Sequence, residues 1–329
     1  MRPPPGPFRW NSRLPQRIVI GLSAVVAAVS AGEAQVLTVR SAGQAAALPF
    51  GPFDPVGDRT FEIALRTFVS AQTGFDPGYV EQLYTFGDKG RDAPLAAVDG
   101  AAAARVISVG YLGLTARADA MALEGAAWSA FYTFFPWEDW REGRPDALTA
   151  VEAALRAWAG SSRARLARVR LLFALDEAPW NEERALERYE LLYEAGLAPE
   201  AARDRGEAPD PAIARVGAAL GEPMISDHRR ILATALSRLR GKLRYRPVIF
   251  EMMPEAFTLS SLQRAVEAVA GVPLHKQNFR RALERSGLVE GLGRLDQDTG
   301  GRPAELFRFR REQLSAGPAS GLSLPLLRD

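Results

Sequence analysis

The thirteen residues IVIGLSAVVAAVS, at 18–30, carry no charge. The run is too short to cross a membrane as a helix, which takes about 20 apolar residues. Two readings are open. Arg13 and Arg17 before it and GEA after it outline a basic segment, an apolar core and a small-residue cleavage site, the pattern of an export signal. Alternatively, the run is a buried strand that turns at Gly32 and returns as AQVLTVR. β-Branched Ile and Val punctuate it, and pairing continues straight into Val39. The downstream pattern favours the strand, which puts the run inside a sheet and the chain in the cytoplasm, away from membranes.

The 329 residues suffice for two domains, and 47% hydrophobic with 24% charged residues is the composition of a globular chain. With no cysteine, disulfide frameworks, thiolate catalysis and thiolate zinc sites are excluded. Only His228 and His275 are present, which argues against a multi-histidine metal centre. The net charge of +2 conceals an asymmetry, since residues 226–311 hold 17 Lys/Arg against 9 Asp/Glu. Such a segment suits a polyanion.

Residues 1–16 read as a flexible lead-in. Strands are expected at 18–30, 35–40, 80–86 and 105–114, with one helix at about 59–73 whose Phe61, Ala64, Leu65, Phe68 and Ala71 or Gln72 fall at helical spacing. Residues 128–140 are dense in aromatics and break at Pro136. Helices follow at 147–159, 162–175 and 181–195, then a polar loop or linker at 204–212. A basic helix at 226–242 carries one apolar face, Ile231, Ala235, Leu236 and Leu239, and is expected to expose its arginines.

From Pro247 the pattern is a short apolar helix, a helix capped at Ser260, a turn at GVPL, a second helix at 275–286, and two strands around a Gly/Asp-rich loop at 293–303. Helix, turn, helix and basic hairpin make a winged helix-turn-helix. With Phe279 facing inward, about 100° per residue places His275, Ala282, Leu283 and Ser286 inward too. Gln277, Arg280, Arg281 and Glu284 then point outward, with Arg285 nearby. Gln can pair with adenine edges and Arg with guanine or phosphate. Lys276 suits a backbone phosphate, as do Arg302, Arg308 and Arg310 on the hairpin. A solvated basic face on a structural helix is the plainer alternative. His275 is read as a core or capping residue.

Taken together, strand, strand, FDP loop, helix ending TGF, QLYTFGDKGRD and RVISVGYLGL resemble a Nudix domain. LRYRPVIFEMMPEAFTLSSLQ, KQNFRRAL and GRPAELFRF resemble the winged helix of Nudix-related transcriptional regulators of NAD metabolism. FYTFFPWEDWREGRP is similar to the branch of these that represses de novo NAD biosynthesis. The likeness spans most of residues 17–311. It implies an α+β chain, a Nudix-like α/β/α sandwich followed by a winged helix-turn-helix. The expected division is 17–215 for a sensing domain with a helical extension, 226–311 for the linker helix and DNA reader, and 312–329 for a tail.

The Nudix pattern aligned back from Gly74-Phe75 puts Phe68, Ala71 and Gln72 where its helix glutamates belong, Thr67 at its Arg and Arg59 at its first Glu, with Gly51 as its initial Gly if this loop is two residues longer. Those carboxylates hold Mg²⁺, a hard cation that needs oxygen ligands. Phe and Ala supply none, so no catalytic residues, bound metal or required cofactor are expected, and Glu62 reads as a solvent-facing residue. The resemblance implies a sensor for an NAD-related nucleotide: NAD, ADP-ribose, NADP or ATP. Phe86 could stack on its base, and Arg91 and Arg105 could meet its phosphates. Each could instead be structural. The implied whole is a homodimeric repressor on a palindromic double-stranded DNA operator. The competing reading is an active nucleotide pyrophosphohydrolase with a basic appendage, which needs carboxylates in the 59–73 helix, where the sequence has only Glu62.

Overall fold

The computed structural model describes residues 18–88, 105–116, 123–208, 216–296 and 303–314. The apolar run is β1 (Ile18–Ser30), which turns at Gly32 (φ 79°) into β2 (Glu33–Val39). β3 (Phe50–Pro52) also pairs with β1. Helix α1 (Phe61–Thr73) leads to β4 (Tyr79–Phe86), β5 (Arg105–Leu114) and β6 (Ala126–Ala130). The sheet order is β4-β5-β1-β2-β6, with β1 parallel to β5 from Ile18↔Arg105 to Ala27↔Leu114. β1 is therefore central and buried on both faces, and this is why its apolar run shows no alternation.

The two faces take alternate residues. Leu22, Ala24 and Val26 of β1 pack with Ala64, Leu65 and Val69 of α1. Val25 and Ala27 face the other way, into a core that includes Leu83, Phe86, Ile231 and Ala235. Within α1 the buried residues are Ala64, Leu65, Val69 and Thr73, so Ala71, expected on the packed face, is exposed.

After a single turn at α2 (Phe131–Phe134) come α3 (Ala147–Ala159), α4 (Arg163–Leu172), α5 (Ala185–Glu194) and α6 (Pro199–Arg205). The loop expected at 204–212 begins inside α6; residues 209–212 lie outside the described ones. Helix α7 (His228–Tyr245) then runs under the sheet. Its apolar stripe is buried as expected, but its cations are not solvent-facing as a class. Arg229 is 1% exposed and Arg240 is 0% exposed, and Lys242 is buried too. Carboxylates from distant segments, Glu138, Glu200 and Glu81, make this possible.

The C-terminal unit holds β7 (Phe257–Thr258), α8 (Leu259–Ala270), α9 (Lys276–Ser286), β8 (Val289–Asp296) and β9 (Ala304–Phe309), with sheet order β7-β9-β8. The cap of α8 is Thr258, not Ser260. Thr258 and Ser261 form a reciprocal capping box that starts the helix at Leu259. Phe250 stacks on Phe309 at 4.2 Å and ties the wing to the turn at 248–252. The apolar core runs without a break from the large sheet through α7 into α8.

Candidate functional site

Three regions carry the candidate chemistry. The first is the loop and helix at 53–75. Asp58 accepts from the Asp54 backbone N at 2.8 Å, and Thr60 caps α1 by accepting from Ile63 N. Glu62 is exposed and ion-paired with Arg66 at 3.0 Å. Gln72 uses its amide on both backbone atoms of Phe50, accepting from N at 3.1 Å and donating to O at 2.5 Å. Phe68 lies over Gly51, where an added Cβ would come within 2.9 Å of the ring. Two positions that align with metal-binding glutamates thus brace β3 against α1. Among the described residues no group of three or more His, Asp or Glu could hold a metal ion. The donor set does not fit Mg²⁺.

The second region is a groove of about 620 Å³ between β4, α5 and α7. Phe86 lines it but is buried, and the Arg230 guanidinium already sits 5.3 Å over its ring. The accessible rings in this groove are Tyr84 and Tyr245. Arg230 pairs with Asp88, with Glu190 at 2.6 Å and with Asp227 at 3.4 Å. Arg105 does not enter the groove lining; it donates to Gly87 O at 2.6 Å and pins the end of β4. Arg91 lies outside the described residues. The groove went unseen in the sequence, although Arg230, Thr234, Ser237, Arg238, Gly241 and Tyr245 recur at helical spacing as a polar stripe beside the apolar one.

The third region is α9. Phe279, Ala282 and Leu283 are buried, while Lys276, Gln277, Arg280, Arg281, Glu284 and Arg285 are exposed. His275 is a correction: it is exposed at the N-cap and makes no capping hydrogen bond. The first amides of α9 therefore lack a side-chain cap from His275. Arg308 pairs with Glu290 across the wing, and Arg302 lies outside the described residues.

Between these regions lies a buried ionic cluster. Glu138 is 0% exposed and receives Arg188 Nε at 2.5 Å and Nη2 at 2.8 Å, while Arg240 approaches its Oε2. Burial alone would raise the Glu138 carboxyl, but the two guanidinium groups outweigh it and hold it below the ordinary range. Arg240 also donates to Val269 O at 3.1 Å, at the end of α8, and to Glu182 O at 2.9 Å. Tyr132 Oη donates to Ala268 O at 2.6 Å, and Trp140 N donates to Gly271 O at 2.7 Å. Gly271 has φ 71°, and a Cβ there would run into Arg240 and the Glu138 carbonyl, so only glycine fits. Arg229 is held similarly by Phe134 O at 2.6 Å and Glu200 at 3.5 Å.

Comparison with known proteins accords with this arrangement. Residues 249–309 match the model of the NrtR DNA-binding winged helix domain. An ADPR responsive transcriptional repressor, NtrR, of Acinetobacter baylyi is 42% identical over 85 residues, which cover 25% of this chain and 33% of that relative. The match thus spans about a third of the relative's length. The crystal structure of Shewanella oneidensis NrtR complexed with a 27mer DNA superposes with TM-score 0.52 and 19% identity, over 90% of this chain and 95% of that one. A MutT/nudix family protein from Enterococcus faecalis gives TM-score 0.50 at 14% identity over 91% and 90%. Residues 249–309 are thus similar to the NrtR DNA-binding winged helix domain, and the α+β fold over most of the chain is like that of these two solved structures.

Proposed function

We propose that the protein is a DNA-binding transcriptional repressor of NAD biosynthesis genes whose Nudix-like part, 17–215, senses a nucleotide for the reader at 226–311. The observation that carries this is the exposed basic face of α9 within a winged helix matched to a DNA-binding family. Lys276, Gln277, Arg280 and Arg281 are the groups that would enter the major groove or meet its flanking phosphates, with Arg302 and Arg308 on the wing. ADP-ribose is the leading effector because the Acinetobacter relative is named for it; NAD, NADP and ATP are the other candidates. A homodimer would set two α9 helices on the half-sites of a palindromic operator. The reading places the protein in the cytoplasm; no described helix is long and apolar enough to cross a membrane.

In this reading the Nudix-like part is catalytically silent. Phe68 and Ala71 offer no oxygen ligands and Gln72 is committed to Phe50, so the α1 helix lacks what hydrolysis needs, and this reading has the domain bind a nucleotide without cutting it. The test selects DNA from a random pool with purified protein and repeats the selection with ADP-ribose present. A sequence-specific complex that ADP-ribose shifts is expected, together with no chelator-sensitive turnover of ADP-ribose in Mg²⁺. Failure to select any sequence would overturn the regulator, and metal-dependent turnover would overturn the silent sensor.

A further inference from the structure

The groove between β4, α5 and α7 lies on the sheet face opposite α1, so it is separate from the loop and helix that hold the metal site in a hydrolase. Its volume of about 620 Å³ falls in the range of small-molecule sites, roughly 300–1,000 Å³. Its two ends differ electrostatically. Around Arg230 the carboxylates of Asp88, Glu190 and Asp227 more than neutralise the cation, so a phosphate is disfavoured there. Two turns along α7, Arg238 is exposed and has no ion pair among the described residues; its one hydrogen bond is a 3.5 Å contact to Leu83 O. The groove also contains Tyr84, 59% exposed, and Tyr245, 52% exposed. Two accessible rings and a guanidinium with no ion pair among the described residues, in one concave site, match a ligand with an aromatic base and a phosphate.

We propose that this groove is a nucleotide site, in which Arg238 takes the phosphate and Tyr84 and Tyr245 hold the base. The proposal rests on the sensor reading above and gives it a location. It also gives α7 a double role. One face of the helix lines the groove, and another sends Arg240 to Glu138 and to Val269 O at the end of α8. A ligand that shifts α7 therefore acts on the body of the DNA reader through the same rigid element, provided that it binds two arrangements of α7 with different affinity.

The experiment titrates the full chain with ADP-ribose by calorimetry and compares Arg238→Ala, Arg238→Lys, Tyr245→Ala and Ala71→Trp. Ala71 is exposed on α1, so a tryptophan there obstructs the opposite face without disturbing the core. Arg238→Ala and Tyr245→Ala should each weaken ADP-ribose about tenfold or more, with partial recovery in Arg238→Lys and unchanged binding in Ala71→Trp. Unchanged binding in the groove variants with loss in Ala71→Trp would overturn the groove while leaving the sensor reading intact. No binding of ADP-ribose, NAD or ATP by the parent chain would overturn the sensor itself. Conversion of a dimer to monomers by Arg238→Ala or Tyr245→Ala, read by sedimentation, would make the groove a seam between copies and also overturn the proposal.

Discussion

Helices α7 and α9 look alike as strings, HRRILATALSRLRGKLRY and KQNFRRALERS, each studded with Arg and Lys along one apolar stripe. In the fold they are opposites. The cations of α7 are mostly spent on carboxylates: Arg240 on Glu138, Arg230 on Glu190, Arg244 on Glu182 and Lys242 on Glu81. Burial and the adjacent Glu81 push the Tyr79 phenol up to about 12, so it remains a donor to that carboxylate. On α9 the exposed Lys276, Arg280 and Arg281 make no ion pair among the described residues. Charge count is thus a poor guide to nucleic-acid contact. What separates a structural basic helix from a reading one is whether acids from elsewhere in the chain meet it.

The comparison breaks most visibly at Glu138. Glu138→Gln removes the carboxylate that pairs with both Arg188 and Arg240, both of them buried. Leaving buried charges uncompensated costs about 3–5 kcal/mol, which chemical denaturation would read directly. Replacing the trio together, Arg188→Met with Glu138→Leu and Arg240→Met, should cost far less, because no charge is then stranded. A Glu138→Gln protein as stable as the parent would show that α7 does not depend on its buried pairs.

The N-terminal end of α7 offers a second, smaller test. His228 is fully buried, and its Nδ1 accepts from Leu48 N at 2.9 Å. Burial, with Arg203 adding to it, lowers its pKa from 6.5 to about 3. The unfolded chain therefore takes up a proton between pH 6.5 and 3 that the folded chain refuses, and stability falls as pH falls through that window. From neutrality to pH 5 the loss is about 2 kcal/mol for this group. Denaturant midpoints measured from pH 7 to 5 should show it, and His228→Gln should flatten the dependence.

Much of this was legible in local sequence. The apolarity of β1 marked it as a buried strand, and a 3.6-residue period was enough to sort most inward and outward residues of α9. The helical period of α7 also showed its apolar stripe, but not the fate of its arginines. Their partners lie 102 residues away at Glu138 and 29 away at Glu200, distances that no window spans. The groove has the same origin, since Tyr84 and Arg238 meet only when β4 packs across α7. His275 misled for a different reason. The period extrapolated one residue past the start of α9, where the backbone is already extended at φ −68° and ψ 117°. Short β6 escaped because five residues of Ala, Trp and Ser carry little alternation.

On α9 the expected effect on the fold is the smallest and the effect on function is specific. Arg281→Ala removes an exposed side chain, so its stability should stay within about 0.5 kcal/mol of the parent. Its affinity for selected DNA should fall by about 1–3 kcal/mol if Arg281 reads a base, with relaxed preference at one position. If it meets a phosphate instead, the loss should be uniform across sequences and the salt dependence should shrink by about one ion. Fluorescence anisotropy at several salt concentrations separates these outcomes. The matched change on α7, Arg240→Ala, should do the reverse, lowering stability severely while leaving the α9 surface chemistry untouched. If Arg281→Ala and Arg280→Ala both bind DNA as the parent does, α9 is another solvated basic face, and the contrast between the two helices is one of burial alone.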